Sequence, residues 1–103
     1  MLRVTFQYID DCPSHEQALK RLRKVLDEEG VNIKIDVIKI KSDEQAKRLR
    51  FVGSPTILVN DIDIDPQANS HYGLACRAYQ LEDGRISPLP SADMIRRAIR
   101  RES

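Results

Sequence analysis

All of the thiol and imidazole chemistry available to this chain falls in two short segments. Its two cysteines and two histidines stand in Cys12-Pro13-Ser14-His15 and in the stretch from His71 to Cys76. A cysteine acts as a nucleophile through its thiolate, so the question for each is what would favour the anion. Cys12 lies where an alternating stretch gives way to a helical one, at or beside a helix N-cap, with Pro13 at the first helical position. Unpaired backbone N–H groups and the positive end of the helix dipole would stabilise a thiolate there. Such cysteines have their pKa lowered from about 8.5 into a range of roughly 3.5–7.5. The competing reading is a buried cysteine that only packs beneath the loop. His15, one turn on, either faces solvent as a bystander or, as an imidazolium, favours the thiolate and shuttles a proton.

The same four residues also make a tetrahedral zinc set if the two segments meet. The thiolates alone suit a soft ion such as mercury or copper(I). Asp10 and Asp11 flank Cys12 and offer the carboxylate that an organomercury-cleaving site would need as proton source. A core of this size does not require a structural metal, and no cofactor is expected.

The elements that must position these groups follow from hydrophobic periodicity. Leu2, Val4, Phe6 and Tyr8 alternate with polar residues, a first strand over the opening eight residues. Ala18, Leu19, Leu22, Val25 and Leu26 recur at helical spacing until Gly30. Val31 to Ile40 reads as a β-branched strand of about ten residues with a phase slip. Ser42-Asp43-Glu44-Gln45 has the form of a capping box before a short helix burying Ala46 and Leu49. Thr56-Ile57-Leu58-Val59 is continuously apolar and so a central strand. Asn60-Asp61 turns it back through Ile62 and Ile64. Residues 65–73 are loop-like, Cys76 to Gln80 adds a short edge strand, and Ser87-Pro88-Leu89-Pro90 is a rigid connector. Ser91 caps a last helix burying Met94, Ile95, Ala98 and Ile99, with Arg96, Arg97, Arg100 and Arg101 outside. The expected order is β-α-β-α-β-β-α, an α/β sandwich with a mixed sheet and helices on both faces.

Length and composition bound the rest. One hundred and three residues predict one domain over 1–103. Seventeen basic against 16 acidic residues, a net charge of +1, give no field that draws nucleic acid or a membrane surface. Trp is absent and aromatics are 5%, too few for a base-stacking platform. No apolar run approaches the roughly 20 residues that span a bilayer. The first residues do not read as a secretory signal, and two cysteines make no secreted disulfide framework. A cytoplasmic protein is expected. The basic runs Lys20-Arg21-Leu22-Arg23 and Lys47-Arg48-Leu49-Arg50 read as solvated helix faces, with a phosphate-binding patch as the alternative.

With Cys12-Pro13 at the first strand–helix junction and Val52-Gly53-Ser54-Pro55-Thr56 before the third strand, the chain resembles the thioredoxin-like superfamily. In topology it resembles the glutaredoxin branch. It is most similar to small bacterial and archaeal thioredoxin-fold proteins, some labelled by similarity to alkylmercury lyases, through these segments and Gly73-Leu74-Ala75-Cys76-Arg77. The resemblance implies a cis Ser54–Pro55 bond and a Ser54 backbone facing Cys12, open to an extended peptide or a thiol ligand. It implies a redox thiol at Cys12, with a protein disulfide or a small-molecule thiol as partner. A dithiol relative would carry a second cysteine where this chain has His15. The mixed disulfide at Cys12 is therefore resolved either by an external thiol such as glutathione or by Cys76. The hairpin at Asn60-Asp61 returns the chain toward the Cys12 end, which leads us to expect the two cysteines close together. Cys76 otherwise reads as a small apolar residue at the start of an edge strand. Thiol–disulfide exchange or redox sensing is the leading expectation. A non-catalytic binding module that keeps the fold, and a soft-metal binder, are the alternatives.

Overall fold

A computed structural model of the chain describes residues 2–66 and 72–102. Two strands open it on either side of a helix: β1 (Val4–Tyr8), α1 (His15–Glu28) and β2 (Asp36–Lys39). They pair in parallel, Phe6 opposite Val37, as a strand–helix–strand crossover requires. A short α2 (Asp43–Leu49) leads to β3 (Thr56–Val59) and β4 (Ile62–Asp63). Both of these pairings, β1 with β3 and β3 with β4, are antiparallel. The mixed sheet is therefore ordered β2-β1-β3-β4. Beyond it, β5 (Tyr79–Gln80) and β6 (Ile86–Ser87) form a separate two-stranded sheet, and α3 (Ala92–Glu102) closes the chain. This is an α/β architecture.

Strand alternation divides the interior in two. Val4, Phe6, Ile57 and Val59 bury one sheet face against Leu22 and Val25 of α1 and Ile95 and Ile99 of α3. A smaller cluster, Ile9, Cys12, Ile40, Ala46 and Phe51, lies toward α2. Ile9 and Ile40 lie just beyond β1 and β2, so this second cluster sits past the ends of these strands and takes in Ala46 of α2. No helix among the described residues is long and apolar enough to cross a membrane.

Several expectations are corrected. β2 is four residues long, not ten. Val31, Ile33 and Ile35 lean on the main core without joining the ladder, so their alternation reflects packing and not pairing. The stretch from Cys76 adds no edge strand to the main sheet; only Tyr79 and Gln80 pair, and they pair with β6. The connector Ser87-Pro88-Leu89-Pro90 begins inside β6. Other local readings match. Asn60 and Asp61 both have positive φ, 54° and 67°, as a tight hairpin turn needs. Ser42 Oγ accepts from the Gln45 N–H at 3.1 Å. The Gln45 side chain accepts from Lys41 N–H, one residue earlier than in the standard capping box. Ser91 Oγ accepts from Met94 N–H at 3.1 Å.

Candidate functional site: a two-cysteine centre

Cys12 follows β1 through two successive tight turns. Its N–H donates to Ile9 O and its carbonyl accepts from His15 N–H, each at 3.3 Å. These turns delay the helix, whose N-cap is Ser14 and whose first residue is His15. Cys12 is thus two residues before the cap and Pro13 lies outside the helix, a correction to the position expected from the sequence. The thiol still benefits from the helix start, through Ser14. The cap serine makes no side-chain cap bond; its hydroxyl instead lies 3.1 Å from Cys12 Sγ.

The Cys12 side chain is 1% exposed, bedded on Ile9, Ile40, Ala46 and Phe51. Burial is the largest influence on its ionisation and opposes the thiolate. Hydrogen bonds from the Ser14 hydroxyl, the Cys76 thiol, the Ser54 hydroxyl and the Ser14 N–H together outweigh it, and the Cys12 pKa falls below its ordinary 9.0. Cys76 moves the other way. Its proton is held on the Cys12 sulfur, some burial and the negative charges of Cys12 and Asp11 add to this, and its pKa rises. The Cys12 thiol donates to the Ser54 carbonyl and Cys76 is bridged to that same residue, so the two cysteines are neighbours whose ionisation is pushed in opposite directions. The expectation that the hairpin returns Cys76 to the Cys12 end agrees with this geometry.

His15 takes no part in this contact. Its ring stacks on Tyr8 with centroids 4.5 Å apart, which occupies the imidazole face on the β1 side. His71 lies outside the described residues. Among the described residues no group of three or more His, Cys, Asp and Glu side chains is placed to hold a metal ion. Asp10 forms an ion pair with Lys39.

The Ser54–Pro55 peptide bond is cis, and the Ser54 carbonyl accepts from Cys12 Sγ at 3.5 Å. The Ser54 backbone is nonetheless not open to an extended peptide. Its N–H donates to Ala75 O at 2.7 Å and its carbonyl accepts from Arg77 N–H at 3.0 Å. These two bonds make a parallel bridge between Ser54 and Cys76. The chain's own residues 75–77 take the place that the sequence leaves open for a ligand. The approach is close enough that a Cβ on Gly53 would meet Arg77 Cβ at 2.8 Å. Gly53 also has φ +137°, where side chains are strained.

Arg77 is the residue that sequence reasoning passed over. Its side chain is 4% exposed and lies 2.9 Å from the Asp63 carboxylate. It also donates to Thr56 Oγ1 at 3.3 Å and to Asp65 O at 2.8 Å. The guanidinium covers the Tyr79 ring at 4.3 Å, and Tyr79 donates to Pro55 O at 2.5 Å. Arg77 Nε is the single buried side-chain polar atom left without a partner among the described residues. One network therefore fastens the Cys76 segment to β3, β4 and the Pro55 turn. The available signal was an arginine beside a cysteine in a half-apolar stretch. Nothing in the sequence pointed to its partner at position 63.

The site is thus a buried cysteine under an exposed one on an α/β scaffold. The chain belongs to the family described as a domain of unknown function, DUF2703, whose model matches residues 4–99. No curated protein and no solved structure matches it.

Proposed function

We propose that the protein carries out thiol–disulfide exchange, or senses redox state, through a Cys12–Cys76 dithiol–disulfide pair on a thioredoxin-like fold. The observation that carries this is the shared hold on Ser54: the Cys12 thiol donates to the Ser54 carbonyl at 3.5 Å and Cys76 is bridged to the same residue, which makes the two cysteines neighbours. Exchange needs a thiolate to attack and a second thiol within reach to close the disulfide. The sheet order β2-β1-β3-β4 and a cis proline directly before β3 support the fold assignment. So does a cysteine at the first strand–helix junction. The reading includes a cytoplasmic setting, where a disulfide of this kind is a working bond and not a structural one.

Mild oxidation of the full chain followed by peptide mapping is expected to give an intramolecular Cys12–Cys76 link. Catalysed reduction of a low-molecular-mass disulfide is expected to vanish in Cys12→Ser. Wild-type protein that forms no such link, and that is no faster than Cys12→Ser, would overturn the reading in favour of a binding module. The adjacency of two sulfurs favours one other reading, capture of a soft monovalent or divalent cation in two-coordinate geometry. Elemental analysis of protein purified without chelator separates the two.

A further inference from the structure

The burial of the two sulfurs is the reverse of what the roles assigned from sequence require. Cys12, the thiol expected to meet the substrate, is 1% exposed. Cys76, expected to wait behind it as the resolving thiol, is exposed. What lies over Cys12 is tied down along its length. Gly73 N–H donates to Phe51 O at 3.3 Å, and Leu74 N–H to Asp43 Oδ1 at 3.3 Å. The Ser54 main chain holds positions 75 and 77, and Asp63 holds the Arg77 side chain. Reaching the Cys12 sulfur from solvent requires breaking several of these contacts together. Cys76 already faces solvent.

We propose that Cys76 is the sulfur at which an external low-molecular-mass thiol or disulfide exchanges, with Cys12 opening and closing the internal bond from beneath. This rests on thiol–disulfide exchange being the protein's chemistry. In the oxidised protein an external thiolate attacks Cys76 Sγ. A bond forms between the two sulfurs, the Cys12–Cys76 bond breaks, and its electron pair leaves on Cys12. The departing anion is received by the Ser14 hydroxyl and N–H and by the Ser54 hydroxyl. A good leaving thiolate speeds this step, so access and leaving-group quality select the same sulfur. A second external thiolate then attacks the sulfur of its own kind in the mixed disulfide. The external disulfide departs and Cys76 regains a proton. Two external thiols are oxidised to one disulfide, the protein bond is reduced to thiolate and thiol, and one proton is released. Oxidation by an external disulfide runs through the same steps backwards. The occupied Ser54 edge argues for a small partner, since the main-chain pairing that would align a peptide is already made.

The test uses the oxidised full-length wild-type chain. Brief exposure to glutathione, a denaturing quench with N-ethylmaleimide that opens the buried site to the reagent, and peptide mapping locate the adduct. Glutathione on Cys76 with maleimide on Cys12 is expected, exceeding the opposite arrangement by at least about tenfold given the difference in access and leaving group. Glutathione mainly on Cys12 overturns the inference while leaving the exchange reading intact. Failure of oxidation to join Cys12 to Cys76 at all overturns both.

Discussion

The two cysteine segments are held in place by opposite means. Cys12 follows β1 on a bed of Ile9, Ile40, Ala46 and Phe51, and two successive four-residue turns fix its backbone. Cys76 has no such bed. It is exposed, and its neighbours are anchored by a buried arginine, a carboxylate and two bonds to the Ser54 main chain. Apolar packing tolerates small shifts of its members, whereas a buried ion pair fails when either partner is lost. The position of Cys12 is thus a property of the core. The position of its partner depends on a polar network that one substitution can dismantle.

The contrast is broken most severely from the apolar side. Phe51 is fully buried, and Phe51→Ala is expected to cost about 3–5 kcal/mol, read by chemical denaturation. Because Cys12 rests on this side chain, its alkylation rate should change together with stability. Arg77→Met removes one partner of a buried pair, for which about 3–5 kcal/mol is typical. Asp63 keeps 17% of its side-chain surface in water, so a value near about 3 kcal/mol is expected. The sharper readout for Arg77→Met is access. Cys12 should become more open to iodoacetamide as residues 75–77 come loose, while the β1–β3 ladder stays protected from hydrogen exchange.

The reduced protein should also show the pair in its pH profile. Cys12 has a lowered folded pKa, so its contribution is present above the ordinary thiol value of 9.0 and is lost as pH falls through the folded value. Cys76 has a raised folded pKa. Its contribution is present below 9.0 and is lost as pH rises through the higher folded value. Together they favour the fold most near pH 9.0, the ordinary value of both thiols. Urea denaturation across this range should show a rise up to that pH that flattens in Cys12→Ser. A monotonic profile unchanged by Cys12→Ser contradicts the division of protons between the two sulfurs.

Ser14→Ala is expected to have the smallest effect on folding. The hydroxyl does not cap α1, so stability should move by less than about 0.5 kcal/mol. The midpoint of Cys12 alkylation should nonetheless rise, because the serine is the first of the groups that favour its thiolate. A large stability loss with no change in that midpoint would make Ser14 a capping residue and nothing more.

The same division explains what could be read from the sequence. Cys12 was legible because the elements on either side of it are periodic, the alternation of β1 before it and the apolar face of α1 after it, whereas Phe51 and the Ser54 carbonyl, which also hold it, left no such trace. The helix start was misjudged by two residues, since Pro13 fits a first helical turn as well as it fits the turn before one. β2 was overlong because Val31, Ile33 and Ile35 alternate for packing reasons. The surroundings of Cys76 were largely illegible. An arginine at position 77 gives no hint that its carboxylate stands at position 63, or that Tyr79 reaches Pro55. The occupied Ser54 edge was missed for the same reason. Such pairings join residues far apart in sequence and leave no periodic trace.

Equilibration of the wild-type chain in anaerobic glutathione buffers of graded potential, with acid quench and mass mapping, tests whether Cys12 and Cys76 work as one redox pair. One two-electron transition between the free thiols and an intramolecular Cys12–Cys76 disulfide is expected, with adducts only as minor species near the midpoint. Free cysteines at every ratio, or glutathione adducts that accumulate without the internal bond, would contradict it.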